Sequence, residues 1–158
     1  MTNDDSTLFI DANILIYATR PASPWHTLAR EAIDQALANG VDLALSPQVL
    51  REYLAGVTRP APDGAHTPLA DALDNVAVFR AALRVLEENG AVVDMLLAQL
   101  RQVAALGRQT HDANIVATMR VHGVRRLLTH NTDDFARYNH LITVVPLEPP
   151  TTAPSAGV

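Results

Sequence analysis

Short runs of apolar residues alternate along this chain with longer segments in which apolar residues return every three or four positions. Runs of the first kind predict buried strands, and segments of the second kind predict amphipathic helices. The predicted strands cover residues 7–10, 42–45, 83–86, 124–128 and 142–145. Strands that alternate with helices of about 10–15 residues form βαβ units, so the pattern predicts an α/β fold with a central, mainly parallel sheet and helices on both faces.

Local signals set the expected limits of several segments. Ser23-Pro24 and Ser46-Pro47 each place a favoured cap residue before a proline, which predicts the start of a helix. The other predicted helices cover residues 69–81, 89–103, 111–121 and 133–138. The proline-rich segment 58–68 predicts a loop and not a domain boundary, because the residues before it are too few to form a hydrophobic core of their own. Residues 1–148 are therefore expected to form a single domain, and residues 149–158 a disordered tail.

Composition excludes several classes of protein. The chain has no cysteine, which excludes disulfides, thiolate catalysis and Cys-type zinc sites and fits a cytoplasmic protein. All 12 basic residues are arginines, and the absence of lysine excludes a P-loop, a Schiff-base enzyme and a receiver domain. The net charge of −5 argues against a uniformly basic nucleic-acid binder but allows local basic patches. No apolar run reaches the ~18 residues of a membrane helix, and the first residues lack the basic segment of a secretory signal.

Four acidic residues stand where predicted strands or helices begin or end: Asp11, Glu52, Asp112 and Asp134. Asp11 directly follows the first strand, and Asp134 follows the strand that ends at Leu128, so both are expected at the edge where the carboxyl ends of parallel strands meet. Carboxylates gathered in one pocket repel each other unless a cation joins them, and oxygen ligands favour Mg²⁺ or Mn²⁺. The simplest interpretation is a divalent-metal site.

Each of these residues also has a purely structural alternative. Asp11 is placed to cap the helix that follows it, and Glu52, in the first half of an amphipathic helix, has the position of a solvated charge. Asp112 begins a nearly all-apolar helix, where the helix dipole favours a negative charge with or without a metal. Asn131, Asp133 and Asp134 form a cluster of residue types that are typical of a turn. The acids therefore support a metal site jointly and not one by one.

Four short segments carry the motifs in a fixed order along the chain. They are Phe9–Asn13, Arg51–Leu54, His111–Thr118 and Leu128–Phe135. Together they resemble the PIN-domain ribonucleases, and within that family the VapC toxins of bacterial toxin–antitoxin pairs, from about Leu8 to Leu147. The resemblance implies a PIN-like three-layer α/β/α fold and a metal-dependent endoribonuclease. It also implies that Asp11, Glu52 and Asp112 hold Mg²⁺ or Mn²⁺, directly or through water.

The last segment departs from the family at one position. Many members have an aspartate two residues after the threonine, which here is Thr129, but this chain has Asn131. The resemblance therefore implies that Asp134 supplies the fourth carboxylate, with Asn131 as a neutral ligand or orienting residue. Asp133 is a less favoured substitute. Asn13 and Thr129 are expected to support the site, and the departure affects a second metal ion more than the first.

The resemblance also implies partners. The substrate would be RNA, whose phosphates suit the bidentate fork of arginine. The candidate arginines, by their position in the sequence, are Arg51, Arg59, Arg108, Arg120 and Arg137. A VapB-type antitoxin is expected on the helical hairpin formed by residues 46–58 and 69–81, and the protein is expected to be a homodimer that does not enter a membrane.

Two other functions stay open at this point. The first is a non-catalytic PIN-like module that binds a partner or RNA through an impaired metal site, which Asn131 favours. The second is a metal-dependent phosphatase on another α/β fold. Such an enzyme usually has a second aspartate two residues after the first, and position 13 is Asn13. Metal-stimulated cleavage of RNA distinguishes the endoribonuclease from these two alternatives.

Overall fold

The computed structural model describes residues 6–149, which form five strands and seven α-helices. The strands are β1 (Thr7–Ile10), β2 (Asp42–Leu45), β3 (Arg84–Val85), β4 (Arg126–Thr129) and β5 (Thr143–Pro146). The helices are α1 (Ala12–Thr19), α2 (His26–Ala38), α3 (Pro47–Thr58), α4 (Leu69–Ala82), α5 (Gly90–Gln102), α6 (Gln109–Val121) and α7 (Thr132–Phe135), the last continuing into a 3₁₀ turn at Ala136–Tyr138. None of the helices between residues 6 and 149 has the length and apolar content needed to cross a membrane. From residue 150 onward, the predicted disordered tail lies outside the described residues.

The five strands form one parallel sheet in the order β3-β2-β1-β4-β5. β1 is central, and its Phe9 pairs with Ala44 of β2 on one side and Leu127 of β4 on the other. Leu8, Phe9 and Ile10 are all buried. Successive residues of a strand point to opposite faces, so this burial requires helices on both faces of the sheet. The predicted three-layer α/β/α arrangement is confirmed.

Two helices begin two residues away from their predicted starts, and β4 begins at Arg126 and not at residue 124. α2 begins at His26 and not at Pro24, because the Ser23 hydroxyl accepts a hydrogen bond from the Trp25 N–H (3.2 Å) in the turn that precedes the helix. α6 begins at Gln109, two residues before the predicted start at residue 111. Asp112 is therefore in the first full turn of α6 and not at its first position, so it is not a simple cap of that helix.

The start of α3 is predicted correctly, but its cap is not. The helix begins at Pro47, yet the Ser46 side chain makes no capping bond, and its buried hydroxyl has no partner among the described residues. Instead, the backbone N–H of Gln48 donates to the Glu88 carboxylate, 2.6 Å away. Glu88 lies between β3 and α5, so a distant acid stabilises the positive end of α3.

Candidate active site

Asp11 stands at the carboxyl end of the central strand, beside the end of β4. Its backbone N–H donates to the Leu128 carbonyl (3.0 Å), which extends the pairing of β1 with β4 by one residue. One carboxylate oxygen accepts from the Ala12 N–H (2.8 Å). The other accepts from the Thr129 hydroxyl (2.7 Å) and the Asn13 amide (3.3 Å). Asp11 therefore caps α1, and two of the predicted supporting residues hold its carboxylate in one orientation.

An open cleft of about 830 Å³ lies beyond this edge of the sheet. The residues that line it include the four predicted acids and two predicted supporting residues: Asp11, Glu52, Asp112, Asp134, Asn13 and Asn131. The acids come from the end of β1 and from α3, α6 and α7, which are far apart in the chain. The fold thus brings these four acids to one space at the edge of the sheet. We call this space the cleft.

The turn of α7 separates two neighbouring aspartates. Both are exposed, but Asp134 lines the cleft and Asp133 does not. The next residue, Phe135, is 1% exposed and packs into the core, which fixes the direction of the turn. Adjacent residues of a helix point about 100° apart, so the two aspartate side chains leave α7 in different directions. The geometry agrees with the expected use of Asp134, whose role as a ligand stays a prediction.

Glu52 faces the cleft from α3 and is half-buried. Its Oε1 accepts a hydrogen bond from Nε2 of Gln48, one turn earlier (2.8 Å). Gln48 is 5% exposed, and it also donates to the His111 carbonyl (2.9 Å) and accepts from Asn114 (2.7 Å). Sequence analysis missed Gln48. The available signal was its four-residue spacing from Glu52, at which side chains meet on one face of a helix.

Burial and mutual repulsion raise the pKa of two of the acids. Desolvation by burial raises the pKa of Asp11 to about 6, and the charges of Glu52 and Asp134 add to this, while two hydrogen bonds to Asp11 oppose it. Desolvation also raises the pKa of Asp112 to about 7, and the charges of the other three acids add to it, while Arg137 opposes it. The four acids form a self-repelling group, which is the condition that a divalent cation relieves.

A divalent cation fits the chemistry of this group. The side chains that line the cleft supply carboxylate and amide oxygens, which Mg²⁺ and Mn²⁺ prefer as ligands. As the side chains stand, no three His, Asp or Glu residues between positions 6 and 149 are close enough together to ligate one ion. Mg²⁺ keeps several of its waters in proteins, so some carboxylates would contact it through water.

Three of the five predicted arginines line the cleft and two do not. The three that line it are Arg51, Arg59 and Arg108. Arg137 donates to the Gln109 side chain (3.1 Å) and is close enough for its charge to act on Asp112. Arg120 donates to Gln99 (3.3 Å) and does not line the cleft, so its predicted contact with phosphate lacks structural support.

Comparison with known proteins shows the family of this chain. The family model of the PIN domain matches residues 8–141. The chain belongs to the PIN domain family. Within it, this PIN domain is 32% identical over 126 residues to Ribonuclease VapC48 of Mycobacterium tuberculosis, a match that covers 78% of this chain and 86% of the relative. The resemblance to VapC-type PIN-domain ribonucleases is therefore confirmed.

Solved structures of similar fold agree with the assignment. M. tuberculosis VapC20, described as a sarcin-ricin loop cleaving toxin, has a TM-score of 0.66 at 18% identity over 88% of this PIN domain and 99% of that chain. VapBC-1 from nontypeable Haemophilus influenzae has a TM-score of 0.62 at 19% identity, over 89% of this PIN domain and 98% of that chain. At such identities the likeness shows the fold alone.

Proposed function

We propose that this PIN domain is a Mg²⁺- or Mn²⁺-dependent endoribonuclease and the toxin of a VapBC-type toxin–antitoxin pair. The observation that carries the proposal is the convergence of four carboxylates from separate elements on one cleft. The 32% identity to Ribonuclease VapC48 supports RNA as the substrate class. We infer a cytoplasmic location, in keeping with a chain that lacks cysteine.

Asp11, Glu52 and Asp112 would hold the first cation, directly or through water, and Asp134 with Asn131 would complete a second position. A bound divalent cation lowers the pKa of a coordinated water and neutralises charge that develops on the scissile phosphate. The chain's own residues orient the ligands: Thr129 and Asn13 hold the Asp11 carboxylate in place. No side-chain nucleophile is needed for this chemistry.

Arginines on the rim of the cleft would hold the RNA backbone. Arg59 and Arg108 are exposed there. Arg51 contacts the Glu88 carboxylate at 3.4 Å, but its side chain is 66% exposed. An exposed ion pair is worth only about 0–1 kcal/mol, so a phosphate can replace Glu88 as the partner of Arg51. These three cations would offset the negative charge of the site as RNA approaches.

A VapB-type antitoxin would bind on α3 and α4. Two large apolar side chains one turn apart on α4 are exposed, Leu69 at 61% and Leu73 at 50%. Exposed apolar residues on neighbouring turns of one helix face favour an interaction surface there. A further solved structure of similar fold, with a TM-score of 0.62 at 16% identity, is VapBC2 from Rickettsia felis bound to a DNA fragment from its promoter. The homodimer is proposed from the family resemblance.

The proposal is tested by metal-stimulated cleavage of a mixed RNA pool. The wild-type protein is expected to cut with Mn²⁺ or Mg²⁺ and to stop when EDTA is added. Asp112→Asn keeps the shape of the side chain and removes the charge that holds the cation, so cleavage should fall to background while thermal unfolding stays cooperative. Asp94→Asn, a matched change at an exposed position on α5, should leave cleavage unchanged. Full cleavage by a folded Asp112→Asn protein would exclude Asp112 as a ligand.

A non-catalytic RNA-binding or protein-binding module is the second candidate. It is favoured by Asn131 at the position of the usual carboxylate, and by the absence, within residues 6–149, of three acids already close enough to ligate one ion. The cleavage experiment separates the two functions, because a non-catalytic module would cut no RNA at any concentration of Mn²⁺. A mobility-shift assay then distinguishes a module that binds RNA from one that binds a protein.

A further inference from the structure

Gln48 joins α3 to α6 at the cleft through a single side-chain amide. Its Nε2 donates one hydrogen bond to Oε1 of Glu52 (2.8 Å) and a second to the His111 carbonyl (2.9 Å). Its Oε1 accepts from Nδ2 of Asn114 (2.7 Å). A carbonyl and an ionised carboxylate can only accept, so the orientation of the amide is determined and both of its N–H groups are used.

The Gln48 side chain has little freedom to move. It is 5% exposed, and its backbone N–H is held by the Glu88 carboxylate at 2.6 Å. A buried polar group loses stability when its donors are left without acceptors, so rotating the amide away from Glu52 and His111 would be costly. The amide is therefore a rigid connection between the two helices.

The two contacts on α6 flank Asp112. His111 and Asn114 lie in the first turns of this helix, on either side of the acid in sequence. One amide therefore ties the Glu52 carboxylate to the backbone that carries Asp112. Because Glu52 accepts this bond at Oε1, its Oε2 is available for a cation.

We propose that Gln48 is a positioning residue that sets the separation of the Glu52 and Asp112 carboxylates so that both meet the same divalent cation. The inference rests on the proposed function, since it takes these two carboxylates as ligands. Groups that orient metal ligands typically change metal affinity or activity by about 10–100-fold when they are replaced. Replacing Gln48 should therefore weaken cation binding by about 10–100-fold, although Gln48 itself does not contact the cation.

Gln99 provides a matched control in the same fold. It is 1% exposed, and its Nε2 donates to the carbonyl of Ala113, the residue after Asp112 (2.9 Å). Its Oε1 accepts from Arg120 (3.3 Å). Gln99 thus supports the same turn of α6 from the α5 side, and these hydrogen bonds reach none of the four acids. If Gln48 had only a structural role, replacing either glutamine would weaken Mn²⁺ binding to the same extent.

The experiment compares Gln48→Met with Gln99→Met, since methionine keeps the approximate volume and removes the amide. Mn²⁺ affinity is measured by calorimetry without RNA, together with thermal unfolding of the metal-free proteins. Gln48→Met is expected to weaken Mn²⁺ binding by about 10–100-fold, and Gln99→Met by less than about 3-fold, at similar losses of thermal stability. Equal losses of affinity would overturn the positioning role while leaving metal binding by the wild type, and hence the proposed function, intact. No Mn²⁺ binding by the wild type would remove both.

A double-mutant cycle tests whether Gln48 acts through Glu52. In a Glu52→Gln background, Gln48→Met should cause a much smaller further loss of Mn²⁺ affinity than in the wild type, because the carboxylate that Gln48 holds relative to Asp112 is already missing. The same loss in both backgrounds would contradict the inference. If Gln48→Met does not fold, Gln48→Ala is compared with Gln99→Ala by the same criteria, since the Gln48 side chain lines the cleft and water can fill the space.

Discussion

At the scale of single residues, Asp11 shows that a structural role and a ligand role are compatible in one carboxylate. Oδ1 accepts from the Ala12 N–H and caps α1, while Oδ2 accepts from Thr129 and Asn13. The cap and the supporting bonds fix the side chain before any cation arrives. The structure confirms the cap that the sequence offered for Asp11, and the role of Asp11 as a metal ligand stays a prediction.

The two aspartates of α7 give a prediction at this scale. Asp134 lines the cleft and Asp133 does not, so Asp134→Asn should reduce metal-dependent cleavage by at least about 10-fold while Asp133→Asn changes it little. Cleavage rates at saturating Mn²⁺ for the two folded variants provide the measurement. Equal losses would contradict the division of labour between them.

The substitution Asn131→Asp tests the same ligand position by adding a carboxylate. Asn131 lines the cleft at the position where many family members have a carboxylate. If Asn131→Asp increased cleavage and Asp134→Asn had no effect, the fourth ligand position would be 131, and the natural protein would work with one metal ion. With Asp134 as the ligand, Asn131→Asp should add a repelling charge and give no increase in rate.

At the scale of elements, the start of α3 depends on a residue from another part of the chain. Glu88 accepts from the Gln48 N–H, while the Ser46 hydroxyl is buried without a partner among the described residues. An ordinary cap serine costs about 1 kcal/mol when it is replaced by alanine, but here Ser46→Ala removes a buried, unsatisfied hydroxyl. We therefore expect Ser46→Ala to leave the free energy of unfolding unchanged or to raise it by up to about 1 kcal/mol.

Glu88 should show the opposite behaviour in the same urea-unfolding measurement. Glu88→Ala leaves the backbone N–H of Gln48 without its acceptor and should lower the free energy of unfolding by about 1–2 kcal/mol. Glu88→Gln keeps an acceptor oxygen and should lose less. A larger loss for Ser46→Ala than for Glu88→Ala would show that the serine is the true cap.

At the scale of the whole molecule, folding creates the repulsion in the site, because it brings acids from four elements into one cleft. Folding raises the pKa of Asp11 from 3.8 to about 6, mainly through desolvation. Between these values the folded protein binds a proton that the unfolded chain does not. Raising the pH through this window therefore lowers the free energy of unfolding of the metal-free protein, by on the order of 2–3 kcal/mol for Asp11 alone.

Thermal unfolding in EDTA measures this effect. Other carboxylates also titrate in this range, so the useful quantity is the stability of Asp11→Asn relative to the wild type, which should rise from pH 4 to pH 7. Mn²⁺ should replace the proton, and its stabilisation of the wild type should be larger at pH 7 than at pH 5. Parallel pH profiles for the two proteins, or no thermal shift with millimolar Mn²⁺, would contradict a desolvated, cation-binding Asp11.

The sequence by itself determined the layers of the fold and the members of the site. Apolar runs such as residues 7–10 can be placed only as buried parallel strands, and Asp11, at the end of one, must then lie at the edge where the other strands end. These are local signals, which depend on neighbours within about four positions and on the geometry that all parallel sheets share. That is why Asp11 and Asp134 could be placed at this edge from the sequence pattern, whereas Glu52, a solvated charge by its position alone, was assigned to the site with the resemblance to the PIN-domain ribonucleases.

Only the tertiary structure decided which side chains serve those acids. Glu88 caps α3 in place of Ser46, Arg120 turns to Gln99 and away from the cleft, and Gln48 reaches α6 as well as Glu52. Each of these contacts joins residues from separate helices or loops. A hydrogen bond requires its two atoms to be placed within a few tenths of an ångström, and that placement is set by the packing of the whole core, which no pattern along the chain records.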